Sequence, residues 1–145
     1  MKTHHKMIPR FEFFEHTGDV GLEIFARSKE ELFALAARGM TALVTDVNTV
    51  QPRERMKLSV EADRLDDLLI VWLNRLNFLF ETEGWLFSEF RVLVEENFQL
   101  NATARGELFD PARHEILREI KAATYHQLTV EKRGTWWYAR VIFDL

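Results

Sequence analysis

Between Asp63 and Gly84, Leu65, Leu68, Leu69, Trp72, Leu73, Leu76, Leu79 and Phe80 recur three and four residues apart. A helix over this stretch presents one unbroken apolar face, which must be covered by another layer of structure. Asp63 is placed to cap its start, and Gly84 stands in the usual left-handed position beyond its end. A shorter helix precedes it. Ser28 and Glu31 have capping-box spacing, and Leu32, Leu35, Ala36, Met40, Leu43 and Val44 follow as its stripe.

Most of the remaining chain alternates in period two, the signature of half-buried strands. Phe11 and Phe13 share one face. After the tight segment Glu15 to Asp19, so do Val20, Leu22, Ile24 and Ala26. Asp46 to Glu54 carries turn chemistry, and Met56, Leu58, Val60 and Ala62 then alternate as a strand. Phe87–Glu95 and Phe98–Gly106 form a pair around Glu96-Asn97, and Thr124–Glu131 and Thr135–Asp144 form another around Lys132-Arg133-Gly134. The stretch from Ala112 to Lys121 fits either a short helix or a charged loop. The expected architecture is therefore α+β: mainly antiparallel sheet layers packed with two helices, in a single domain over residues 11–145, behind a flexible segment of residues 1–10 that includes His4 and His5.

Composition narrows the chemistry. The chain has 145 residues, 47% apolar, with a net charge of -4 and no cysteine. Disulfides, thiolate zinc sites and cysteine nucleophiles are excluded, and non-specific nucleic-acid binding through overall charge is disfavoured. No apolar run reaches the roughly 20 residues that span a bilayer, and no signal-type core follows Met1 to Arg10, so a cytoplasmic setting without membrane contact is expected. Dinucleotide, P-loop, HExxH and GxSxG motifs are missing, which argues against a conventional stand-alone enzyme.

Three places carry polar groups that could do chemistry. Gly18-Asp19 can be a plain turn in which the Asp caps its own backbone; equally, Gly18 can free the backbone to aim the Asp19 carboxylate into a cleft, with His16 alongside. At the other end, a terminal strand held inside a sheet would keep Asp144 beside the α-carboxylate of Leu145. Two such anions repel unless a cation lies between them, so they are either solvated charges or part of an oxygen-rich site for a hard divalent ion that Asp19 completes. The third place is Glu119 to His126. Lys121 there can be a solvated surface charge or a functional one. His126, sharing a strand face with Thr124, Leu128 and Val130, can be a hydrogen-bonded interior group or a supporting site residue. All-oxygen ligation favours calcium, with magnesium or manganese as alternatives, over zinc or copper.

Four segments in order resemble the archease family. They are Phe14-Glu15-His16-Thr17-Gly18-Asp19-Val20-Gly21-Leu22, Trp72-Leu73-Asn74, Glu119-Ile120-Lys121-Ala122-Ala123-Thr124-Tyr125-His126 and the ending Ile142-Phe143-Asp144-Leu145. Gly18, Ala123 and Leu145 stand where the family commonly has Ala, Val and Val. The resemblance implies a small metal-binding protein that assists the GTP-dependent RNA ligase of tRNA splicing and RNA repair, promoting its guanylylation and repeated turnover. It also implies that Asp19, Asp144 and Leu145 hold the ion and that Lys121 serves ligase activation. RNA would be met only indirectly, through the ligase. A tRNA methyltransferase is a second partner that the family implies. The rival reading from the residues alone is a self-sufficient metal-dependent phosphohydrolase with His16 or His126 as general base.

Overall fold

A computed structural model of the chain describes residues 8–145. Met1 to Met7, with His4 and His5, lie outside the described residues, and Arg10 is already the first residue of a strand. Strands β1 (Arg10–His16) and β2 (Asp19–Ala26) form a hairpin through Thr17-Gly18, where Gly18 takes φ 79°. Only glycine adopts that conformation without strain, so the hairpin can close with two residues and keep both His16 and Asp19 in the ladder.

Helix α1 (Lys29–Val44) starts as expected. The Ser28 hydroxyl accepts from the Glu31 N–H at 3.1 Å, and the Glu31 carboxylate accepts from the Arg27 N–H at 2.8 Å. A single 3-10 turn, Val47–Thr49, leads to β3 (Glu54–Glu61). Helix α2 (Leu65–Glu83) begins one residue later than Asp63 could cap: Arg64 is the cap residue and makes no side-chain cap bond. Its guanidinium instead pairs with Asp66 at 2.9 Å, and Asp66 and Asp67 put negative charge at the positive end of the helix. Gly84, at φ 81°, closes α2 with its N–H on the Phe80 carbonyl.

Strands β4 (Trp85–Val94) and β5 (Gln99–Leu108) follow, and β6 (Ala122–Arg133) and β7 (Trp136–Asp144) end the chain around Gly134-Thr135. Residues 109–121 form no helix. Their backbone is engaged elsewhere: Leu117 N–H donates to the Val44 carbonyl, Thr45 Oγ1 donates to the Glu115 carbonyl, and Asn77 Nδ2 donates to the Ile120 carbonyl. Tertiary partners on α1 and α2 outbid local helical bonds.

All pairing is antiparallel, in a four-stranded sheet ordered β1-β2-β7-β6 and a three-stranded sheet ordered β3-β5-β4. Helix α1 packs against both β2 and β4, one strand from each sheet, while α2 lies mainly on β6. The core draws on both helices and both sheets, so the expected α+β class and single core hold. Trp72 is fully buried in it, and its indole N–H donates to the Phe33 carbonyl at 3.1 Å, tying α2 to α1. The aromatic stripe of α2 is thus core packing. Among the described residues no helix is long and apolar enough to cross a membrane.

Candidate functional site: a carboxylate corner on the outer sheet face

The four-stranded sheet has two unlike faces. Val20, Leu22, Ile24 and Ala26 of β2 and Ala139, Val141 and Phe143 of β7 are buried toward the helices. Alternation therefore turns Asp19 and Asp144 to the outer face. The β2–β7 register pairs Val20 with Phe143, and its one-residue continuation sets Asp19 directly across from Asp144. Cross-strand neighbours of this kind have Cβ atoms about 5 Å apart. On the other side of Asp19, the β1–β2 register pairs it with His16. One row across the sheet end thus reads His16, Asp19, Asp144.

Two carboxylates opposite one another destabilise a ladder unless a cation intervenes. Neither Asp19 nor Asp144 takes part in an ion pair with another side chain among the described residues. Leu145 packs its side chain against the core margin, which fixes the backbone directly after Asp144. The donors present suit a hard divalent ion in kind, being carboxylate oxygens fixed by sheet pairing. They are few: no group of three or more His, Asp or Glu side chains converges to hold an ion among the described residues. Completing a shell would take further oxygen donors, water among them.

Lys121 reaches this corner through backbone contacts. Its N–H donates to the Asp144 carbonyl at 2.8 Å, and its side chain is exposed. Two asparagines of α2 set the register here. Asn74 makes both bonds of a strand partner with Ala123, accepting its N–H at 2.8 Å and donating to its carbonyl at 3.2 Å. Asn77, itself buried, donates to the Ile120 carbonyl at 2.8 Å. Removing either amide strands backbone groups beside the site. Asn74→Ala is expected to cost about 1–3 kcal/mol in chemical denaturation, and an unchanged midpoint would show that Ala123 needs no such partner.

The histidines meet by a route that strand alternation did not suggest. Between Thr124 and Thr129 the β6–β7 register slips, and Gln127 sits at φ 53°. The Thr124 hydroxyl donates to the Ile142 carbonyl at 2.9 Å while accepting from the His126 N–H at 3.3 Å. This bulge within β6 lifts His126 out of the regular ladder, so it does not share a regular strand face with Leu128 and Val130. It is exposed, and its ring meets that of His16 edge-on, 5.2 Å between centroids, although β1 and β6 are opposite edges of the sheet. The Nδ1 of His16 is buried and has no hydrogen-bond partner. Arg140 lies alongside on the outer face, its guanidinium 4.3 Å from the Phe14 ring centroid and one amino group on the Gln127 side chain at 3.0 Å.

One polar cluster escaped sequence reasoning altogether. Glu107, only 5% exposed, accepts from the Gln51 N–H at 2.8 Å, from Arg113 at 2.5 Å and from His114 Nε2 at 2.9 Å. His114 Nδ1 accepts the Asp110 N–H at 2.9 Å, so the imidazole bridges a backbone amide and a carboxylate. Burial pushes the Glu107 carboxyl up, but the Arg113, Gln51 and His114 hydrogen bonds outweigh it and hold the group down at about 2. The cluster fastens the base of the loop that carries Lys121. Nothing local in sequence marks it, because its members come from three separate segments.

A description of the Archease protein family matches residues 11–145 of this chain. The chain belongs to the archease family. It is 38% identical to a protein archease of Methanopyrus kandleri over 138 residues, covering 93% of this chain and 99% of the relative. A protein archease of Sulfurisphaera tokodaii is 36% identical and is covered to 99% of its length. Among solved structures, protein 1598 of Methanobacterium thermoautotrophicum superposes with a TM-score of 0.81 at 35% identity, over 93% of this chain and 98% of that one. An archease of Thermotoga maritima, described as a possible chaperone, gives 0.66 at 28% identity over 99% and 100%.

Proposed function

We propose that this chain is an accessory protein of a GTP-dependent RNA ligase, promoting its guanylylation and repeated turnover. Family membership supports the partner. The observation that carries the site is the pairing of Asp19 with Asp144 across neighbouring strands, with Lys121 bonded to the same Asp144 backbone. In this reading Asp19, Asp144 and the α-carboxylate of Leu145 hold a divalent ion, calcium before magnesium or manganese. The ion, when bound, supplies a concentrated positive charge that offsets the carboxylate repulsion and attracts phosphate oxygens of the partner. Lys121, exposed beside it, steadies phosphate charge on the ligase-bound nucleotide. The protein's own residues do no bond making; they present and orient. The description of the Thermotoga maritima relative as a possible chaperone agrees with a protein that works by contact.

The test is ligase guanylylation followed over several turnovers with wild type, Asp19→Ala, Lys121→Ala and Asp144→Ala. Each variant is expected to lose about tenfold or more of the stimulation, the scale on which groups that order a metal site act. Equal stimulation by all four proteins would remove the site assignment. Since the assigned donors include the carboxylate of Leu145, residues appended after it should weaken a calcium or manganese titration. Chelation separates this reading from a metal-independent docking role, which would survive stripping of the ion. Phosphoester hydrolysis by the purified protein, lost in Asp19→Ala, would replace the accessory role with an enzymatic one.

A further inference from the structure

The three-stranded sheet also has an outer face, and its charge is opposite to that of the molecule. Register places Arg55 of β3 directly across from Arg105 of β5, which faces Glu89 of β4 on its other side. In the next row Lys57 and Arg91 flank Thr103. The buried neighbours Leu58, Ala102 and Ala104 point to the core, so all of these residues project outward. Four cations and one carboxylate therefore occupy two adjacent rows of a protein whose net charge is -4. They line a shallow cleft of about 270 Å³. None of the four cations forms an ion pair among the described residues. Like charges opposite each other weaken a sheet, so the Arg55–Arg105 pairing costs stability that the single Glu89 carboxylate beside Arg105 offsets only in part.

We propose that this face binds the phosphodiester backbone of a nucleic-acid strand, without regard to base sequence. Three of the four cations are arginines, whose planar forks match phosphate oxygens in pairs. Thr103, half-buried between Lys57 and Arg91, adds a hydroxyl donor. An acidic protein surface is the less suitable occupant. Protein interfaces are anchored by desolvated aromatic or apolar side chains; the aromatic that lines this cleft, Phe90, packs its ring inward against Trp72 and Phe87, and the exposed Leu93 lies one row further on. The same lack of outward aromatics removes a platform for stacking bases, so contacts to the backbone dominate and RNA and DNA should bind alike. The face belongs to a different sheet from the carboxylate corner, and the proposal stands independently of the ligase reading.

The experiment is fluorescence anisotropy with unstructured, fluorescein-labelled RNA and DNA of equal length, between 50 and 200 mM salt. Four phosphate contacts predict a slope of log affinity against log salt of about -3. The variant Arg55→Ala/Lys57→Ala/Arg91→Ala/Arg105→Ala should bind at least about tenfold more weakly at low salt, with the slope collapsing toward zero. Its thermal midpoint should equal or exceed that of wild type, because the opposed arginines are gone; the charge-keeping Arg55→Lys/Arg91→Lys/Arg105→Lys protein should retain binding. Equal binding by wild type and the alanine variant overturns the proposal. So does retention of the wild type by polyglutamate with no oligonucleotide binding, the outcome for a face that takes acidic proteins. Ligase stimulation measured on the same variants keeps failure of that reading distinct from failure of this one.

Discussion

Glu107→Ala is expected to lower the unfolding free energy by about 2–3 kcal/mol, the cost of leaving buried hydrogen-bond donors without their acceptor. The carboxylate is the shared acceptor for Arg113, His114 and the Gln51 N–H, and His114 is almost wholly enclosed. Alanine leaves His114 Nε2 and the Gln51 N–H without their acceptor, while Arg113 keeps Asp110 at 3.4 Å, and it opens a void where the side chain stood. The pH dependence has a definite sign. The carboxyl sits at about 2 in the folded protein against an ordinary 4.5, so the unfolded chain binds the proton more readily. This stabilisation is fully present above about pH 4.5 and is lost as pH falls toward 2. Its size is about 3 kcal/mol from the separation of the two values. Chemical denaturation of wild type and Glu107→Gln at pH 7, 4.5 and 2.5 measures it. A gap between the two proteins that does not narrow with acid would show that the hydrogen bonds, not the charge, stabilise the cluster.

Gly106→Ala should be still more damaging. Gly106 stands opposite Phe87 in β4, where the ladder slips before Glu89. A β-carbon at Gly106 would lie 2.7 Å from the Phe87 Cα and closer still to the Leu86 carbonyl oxygen. Both obstacles are backbone, so no side-chain rotation relieves them. The hairpin would have to open or shift register, at an expected cost above about 4 kcal/mol. Gly18→Ala is the useful comparison. There φ is 79° but nothing lies within 4 Å of the added carbon, so only backbone strain of about 1 kcal/mol applies. Equal thermal midpoints for the two variants would mean that the β4–β5 pairing adapts more easily than this geometry allows.

The helices and hairpins were legible in the sequence because their signals are local. The Ser28–Glu31 cap, the Leu65-to-Phe80 stripe and Gly84 each act within a few residues. Asp63 does not cap because α2 starts at Leu65, one residue too late for it, and helix boundaries set by tertiary packing shift by a residue without a local signal. The course of Ala112 to Lys121 and the bulge at His126 escape local patterns for one shared reason: their hydrogen-bond partners lie at α1, α2 and β7, far away in sequence. Asp19 and Asp144 could each be recognised as the end of a strand. That they face each other depends on β2 lying beside β7, which no periodicity encodes. The basic face was hidden likewise, since Arg55, Arg91 and Arg105 come from three strands and are diluted by acidic neighbours in each.

That adjacency of β2 and β7 ties the carboxylate corner to the slowest kind of folding event. The two strands belong to hairpins from opposite ends of the chain, and pairing of such distant segments dominates folding times. A partly folded chain holding either hairpin alone has one carboxylate or the other, never the facing pair. Anything that binds both carboxylates therefore acts as a clasp on the complete topology. Its binding energy adds to the stability of the whole molecule rather than to one loop, and a chain that misassembles its central strands has no corner to offer a partner.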